Sequence, residues 1–112
     1  MRFLMSTVLM TALTLGTSAA LAGQPAYVGT WGKNAAQCKN GQDTSDAPML
    51  ITRQGYDSHE AHCTFSSIKK SGSTWAMQTK CSVQGDQQVG KMTLSVSGKT
   101  LTVDGTWKLK RC

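Results

Sequence analysis

Residues 62–83 constrain the fold of this chain more than any other stretch, because they predict one β-hairpin with a cysteine on each arm. Cys63 lies on the first arm and Cys81 on the second, and a polar turn at residues 70–73 separates them. If the turn is centred on Gly72, the two cysteines lie opposite each other. Cross-strand neighbours in a non-hydrogen-bonded pair have Cα atoms about 4.5 Å apart, which a disulfide accepts. The pattern therefore predicts a Cys63–Cys81 disulfide.

The first 22 residues predict a cleaved secretory signal peptide. Arg2 supplies a positive charge, an apolar run follows over residues 3–15, and the segment ends in small residues up to Ala22. This order is typical of a signal peptide. A membrane anchor is the alternative, but serine and threonine residues interrupt the run, which is shorter than the roughly 20 apolar residues that span a bilayer. Cleavage after Ala22 leaves residues 23–112 as one exported domain, periplasmic or extracellular, without a transmembrane segment.

The four cysteines indicate two disulfides. Their number is even, the chain is predicted to be exported, and no two of them have the C-x-x-C spacing of a metal or redox motif. Once Cys63 and Cys81 are paired, elimination leaves Cys38–Cys112, which would hold the last residue in place. If the hairpin register is shifted by one residue, Cys38–Cys63 with Cys81–Cys112 is the next choice.

Short alternating stretches separated by turn residues fill the rest of the chain, most clearly over residues 89–96. They predict an all-β domain, a small antiparallel meander barrel or sandwich of about seven short strands, cross-linked by two disulfides. Residues 54–57 predict a turn. Residues 34–39, within the long connection 32–48, predict one helical turn with Asn34 as its N-cap. The tryptophans all fall on inward-facing positions and are predicted to be core residues: Trp31, Trp75 and Trp107.

The Gly-x-Trp of residues 29–31 resembles the first strand of lipocalins and of the small periplasmic inhibitors of secreted bacterial metalloproteases. The resemblance to the inhibitors extends to a cysteine-bearing strand followed by a turn, a tryptophan at Trp75 and a second cysteine at Cys81. It covers short pieces of the predicted mature chain. We use it to raise one functional hypothesis, inhibition of a secreted enzyme.

Catalytic and metal-binding patterns are scarce in this sequence. There are six acidic residues and no Gly-x-Ser-x-Gly elbow, phosphate loop or metal-ligand set, so we expect neither enzyme activity nor a cofactor. The one reactive cluster is His59, Glu60 and His62. A zinc-protease motif needs histidines four positions apart, and these are three apart. On a strand, the two histidines would point to opposite faces. Metal binding by this trio is therefore a minor alternative.

The predicted mature chain is basic, with a net charge of +5 once Arg2 leaves with the signal peptide, since six acidic residues then face 11 basic ones. Six lysines lie in turns and on outward strand positions: Lys69, Lys70, Lys80, Lys91, Lys108 and Lys110. A basic face outside the cytoplasm favours anionic envelope polymers, lipid head groups or an acidic protein. Nucleic acid is disfavoured, because outward positions lack the aromatic residues that stack on bases.

The leading hypothesis is an exported protein-binding module that inhibits a secreted hydrolase, such as a protease or a lysozyme. Loops on a rigid scaffold carry variable chemistry, so contacts are expected from the N-terminal lead (residues 23–26) and from the connection 32–48. The candidate contact residues are Gln24, Lys33, Lys39 and Asp43. The alternatives are an envelope or polyanion-binding protein that uses the basic face, and a metal-binding protein that uses His59, Glu60 and His62.

Overall fold

A closed antiparallel barrel is formed by residues 23–112, which are the residues that the computed structural model describes. Its elements are β1 (Gly29–Gly32), α1 (Ala35–Cys38), β2 (Met49–Ile51), β3 (Gly55–Ser58), β4 (Ala61–Ser71), β5 (Thr74–Val83), β6 (Asp86–Ser97), β7 (Thr100–Val103) and β8 (Trp107–Arg111). Each strand pairs with the next, and β8 closes onto β1. The predicted all-β meander is confirmed, as a barrel of eight strands. The predicted signal peptide, residues 1–22, lies outside the described residues.

Strand β3 corrects the sequence interpretation, which predicted a turn at residues 54–57. Glycine and aspartate there are typical of turns, but Tyr56 pairs with Ile51 on one side and with Cys63 on the other. Its ring also packs against the core cluster. Pairing on both sides and burial of Tyr56 therefore override the local turn signal.

The predicted hairpin is present, although its register differs in one respect. Its turn consists of Gly72 and Ser73, so the hairpin is not centred on Gly72. A β-bulge at Ser67, which has a φ of 51°, adds one residue to β4. The bulge restores the register in which Cys63 faces Cys81, with Cα atoms 4.0 Å apart.

Both predicted disulfides are confirmed. Cys63–Cys81 joins β4 to β5, and Cys38–Cys112 joins the end of α1 to the last residue. None of the four cysteines is free, and the alternative pairing is wrong. Two disulfides are compatible with an exported protein.

Side chains fill the interior of the barrel. The largest fully buried ones are Trp31, Tyr27, Ile51, Leu94 and Leu101. The Trp31 indole N–H donates to the carbonyl oxygen of Tyr27 at 2.8 Å, and the Tyr27 ring packs edge-on against Trp75 at 5.1 Å between centroids. Burial raises the pKa of Tyr27. An eight-stranded barrel is just wide enough for such a packed core of side chains.

Trp107 is not a core residue, which corrects the prediction made for it. It faces inward, as predicted, on the same side of β8 as Leu109, which packs against the core. However, Trp107 is the first residue of β8, directly after the turn that begins at Asp104, and is 69% exposed. It therefore lies at the rim of the barrel, where neighbouring side chains leave most of its surface uncovered.

The meander divides the connections between two ends of the barrel. Because successive strands run in opposite directions, the β1–β2, β3–β4, β5–β6 and β7–β8 connections share one end, which we call the loop end. The other connections and the N-terminal lead lie at the opposite end, the lead end. The lead and the connection 33–48 therefore leave opposite ends of β1, although Arg111 contacts the lead and lines a depression together with Lys39 of the connection.

Candidate functional site at the loop end

A depression of about 330 Å³ opens at the loop end, and we call it the mouth. Strands from opposite sides of the barrel supply its apolar lining: Trp31, Met49, Tyr56, Val103, Trp107 and Leu109. The other lining residues are Lys33, Gln37, Ala47 and Ser58. A concave apolar surface with a polar rim is the usual form of an interaction site.

The aromatic residues of the mouth differ in exposure. Trp31 is fully buried beneath it, whereas Trp107 leaves most of its surface in solvent. Tyr56 is half-buried; burial raises its pKa, and the nearby Asp104 carboxylate raises it further. The Tyr56 hydroxyl is therefore neutral at physiological pH. The mouth thus presents one exposed indole beside an apolar surface, with Lys33 as a charged residue in its lining.

Gln37 organises the loop that forms one side of the mouth. Its side-chain oxygen accepts from the Lys33 backbone N–H at 2.5 Å, and its amide nitrogen donates to the Ala47 carbonyl at 3.2 Å and to Asp46 at 3.3 Å. Asn34 caps α1 by accepting from the Gln37 backbone N–H at 2.8 Å, which confirms the predicted capped helical turn. These bonds hold the two ends of the connection 33–48 together across the barrel end.

Replacing Gln37 with leucine is expected to lower the free energy of unfolding by about 1–3 kcal/mol, because the Lys33 N–H and the buried Ala47 carbonyl would lose their partner. Urea unfolding of the oxidised protein measures this loss. Gln42→Leu is the matched control, since Gln42 donates a single bond, to the Pro48 carbonyl, from an exposed position, and its loss should stay below about 1 kcal/mol. Equal losses in the two variants would contradict the role assigned to Gln37.

Three of the four predicted contact residues lie on the connection at the loop end. Lys33 lines the mouth and forms an exposed ion pair with Asp46 at 3.6 Å. Lys39 and Asp43 are exposed further along the connection. Gln24 is separate, in a second depression at the lead end that Trp75 also lines.

The N-terminal lead is held against the barrel by two arginines. Arg111 donates to the carbonyl oxygen of Ala26 at 2.7 Å, and Arg53 donates to that of Gly23. Arg111 also lies over the Trp31 ring, 4.2 Å from its centroid. These contacts fix the lead against the lead end of the barrel.

The structure does not bring the three predicted metal ligands together: Glu60 lies beside His59, whereas His62 contacts Asp57. His62 contacts Asp57 across β3 and β4 at 2.5 Å. Glu60 accepts from the Gln84 amide at 2.6 Å and lies 3.5 Å from His59. Within residues 23–112, no three histidine, cysteine or acidic side chains converge in a way that could hold a metal ion. Metal binding by these three residues therefore remains a prediction.

The basic residues are spread around the barrel. The six predicted lysines lie on β4, β5, β6 and β8, and all are exposed. The Lys70 ammonium lies 5.5 Å from the centroid of the Trp75 ring. Lys39, Lys110 and Arg111 line a third depression beside the Cys38–Cys112 bond. Polyanion binding therefore remains a prediction, with this depression as its best-defined location.

Comparison with known proteins yields no family model, no curated protein and no solved structure that matches this chain. The class is defined by the geometry itself: an eight-stranded up-and-down barrel, cross-linked by two disulfides, with an apolar mouth at its loop end. Among the described residues, no helix has the length and apolar character needed to cross a membrane.

The residues that the sequence analysis missed are Tyr56 and Trp107, the two partly exposed aromatics of the mouth. Tyr56 was assigned to a turn and Trp107 to the core. The position of Trp107 directly after Asp104-Gly105, a strong hairpin-turn signal, was the available clue. An inward-facing residue beside a turn lies at the barrel rim, where covering side chains end.

Proposed function

We propose that this chain is an exported protein-binding module that inhibits a secreted hydrolase, with its mouth receiving an apolar side chain of the partner. The observation that carries the proposal is Trp107, an exposed indole beside an apolar depression. Tryptophan is one of the residue types enriched among those that dominate binding energy at protein interfaces. The partner's side chain would displace water from the mouth and bury the indole.

The scaffold around the mouth supports inhibition, because an inhibitor needs a rigid surface that loses little conformational entropy on binding. A packed interior and two disulfides hold the strands, and Gln37 holds the loop beside the mouth. Lys33 and Ser58 supply polar groups at the rim. Such an apolar centre with a polar periphery is the usual anatomy of a protein interface.

The test is a stoichiometric titration of the oxidised protein against lysozymes and several secreted proteases. Inhibition is expected at near-equimolar dose. Trp107→Ala should weaken it by at least roughly 30-fold, which corresponds to about 2 kcal/mol of binding free energy. The indole is mostly in solvent, so its removal should leave the urea midpoint almost unchanged.

The matched control is Ile68→Ala. Ile68 is also a large exposed apolar residue, 42% exposed, but it lies at the β4 bulge and not in the mouth. Its replacement should leave inhibition within about threefold of the parent, since surface contacts outside an interface contribute little. If Trp107→Ala inhibits as well as Ile68→Ala, the mouth is not the binding site. Absence of inhibition across the panel would contradict the inhibitor assignment.

A further inference from the structure

Strand β6 is paired along only part of its outer edge. Strand β7 pairs with residues 94–97 of β6 and then ends. One step further, the Thr93 backbone N–H donates to the Asp104 carboxylate at 2.9 Å, and the Thr93 carbonyl accepts from the Asp104 N–H at 2.8 Å. Beyond Thr93, no strand of the described chain pairs with this side of residues 86–92. The barrel is thus closed where β7 pairs with β6, and β6 has a free edge over residues 86–92.

The alternation of hydrogen-bonded pairs along β5 and β6 shows which residues of β6 direct their backbone N–H and C=O groups away from β5, to the free edge. We call these the outward-directed residues. A two-residue turn with positive φ at Gln84 and Gly85 joins β5 to β6, so the flanking pair Val83 and Asp86 is hydrogen-bonded. Hydrogen-bonded and non-hydrogen-bonded pairs then alternate along the strands. By this alternation Thr93 is an outward-directed residue. Its backbone N–H and C=O groups bond to Asp104 on the side away from β5, which agrees with the assignment. The remaining outward-directed residues are Gln87, Val89 and Lys91.

The free edge has little protection against pairing. It contains no proline, and its register against β5 is uninterrupted from Asp86 to Ser95. Natural sheets usually block such edges with bulges, prolines or several charges. Here Lys91 is the one charge among the outward-directed residues, and Val89, at their centre, is 78% exposed. The exposed valine and three unpaired peptide groups form a surface suited to another strand.

We infer that a second copy of this chain pairs with this edge, antiparallel, about a twofold axis at Val89. This is the one register that uses all three outward-directed residues of both copies. Val89 then faces Val89 of the second copy, and Gln87 faces Lys91 of the second copy. No like charges lie directly opposite each other, and the lysine ammonium can donate to the glutamine amide oxygen.

The alternate residues of the two paired β6 strands, Gln88 and Gly90, are also complementary. Gln88 would lie opposite Gly90 of the second copy in a non-hydrogen-bonded pair, where side chains approach most closely. A glycine leaves room there for the longer side chain. Gly90 is exposed, and a Cβ atom built there would have one atom within 4 Å, the Thr79 hydroxyl oxygen at 3.4 Å. The two ribbons β4–β5–β6 would become one six-stranded sheet.

The experiment is sedimentation velocity of the oxidised exported protein over a wide concentration range, from micromolar upward. A reversible monomer–dimer equilibrium is expected. Val89→Lys places two ammonium groups opposite each other at the twofold axis and should raise the dimer dissociation constant at least about tenfold. Gln87→Glu places a carboxylate opposite Lys91 of the second copy and should lower the constant about threefold, a gain that high salt removes.

Ala76→Lys is the control, because Ala76 is exposed on β5, where it pairs with β4 on one side and with β6 on the other. It should leave the dissociation constant unchanged. Amide exchange provides a second readout: the N–H groups of Gln87, Val89 and Lys91 should gain protection with concentration, whereas that of Thr93 is protected throughout. A protein that stays monomeric at millimolar concentration, or a dimer that Val89→Lys leaves intact, would overturn the inference.

Discussion

Replacing Gly55 with alanine is expected to destabilise the barrel by at least about 3 kcal/mol, a large share of the stability of a domain this small. A Cβ atom at Gly55 would lie 1.8 Å from the carbonyl oxygen of Cys63 and 2.8 Å from its carbonyl carbon. Both are backbone atoms in the strand paired with β3, so no side-chain rotation can relieve the contact. Strands β3 and β4 would have to separate.

Urea unfolding and the yield of oxidised protein measure this effect. Gly90→Ala, studied at a concentration where the chain is monomeric, is the matched strand control. Its nearest neighbour would be the Thr79 hydroxyl at 3.4 Å, so a change within about 1 kcal/mol is expected. If the two variants have similar unfolding midpoints, the close approach of β3 and β4 at Gly55 is not a requirement of the fold.

The second large effect concerns the disulfides. Chain-entropy arguments give about 4 kcal/mol for a bond that closes a loop of 74 residues and about 3 kcal/mol for one that closes 18. Removing Cys38–Cys112 by double alanine substitution should therefore cost more than removing Cys63–Cys81 in the same way. The two double variants are compared by urea unfolding at equal ionic strength.

A greater loss on removal of Cys63–Cys81 would contradict this order. It would mean that packing around Cys63, which is buried, outweighs the entropy of the longer loop. The Cys63→Ala substitution leaves a smaller void than removal of a large core side chain, so the entropy difference should decide the outcome.

Local patterns were sufficient to predict most of this fold. Alternation identified the inward residues of β6 and β7, the Asp104-Gly105 pair predicted the last hairpin, and Asn34 predicted the start of the helical turn. In each case the signal depends on residues within a few positions of one another. The Cys63–Cys81 bond also followed from a local register, with a bulge at Ser67 compensating for the displaced turn.

The remaining features depend on how far neighbouring strands extend, which no single segment encodes. Trp107 is exposed because β8 begins at the rim, and Tyr56 lines the mouth because two strands pair around it. The free edge at Val89 exists because β6 has 12 residues and its neighbour β7 has four. Strand lengths are set by pairing partners distant in sequence, so the mouth and the edge emerge only in the assembled barrel.

The Cys38–Cys112 bond also determines what a peptide-bond cut does to the molecule. Residues 41–46 are all exposed, and exposed loop tips are preferred sites of proteolytic nicking. A cut there separates β1 from β2 along the backbone, yet the piece that carries Trp31 stays attached through Cys38 to the last residue of the other piece. The nicked product is still one covalent molecule containing all eight strands. For the proposed inhibitor of secreted proteases, a cut in this loop would therefore release neither piece from the molecule.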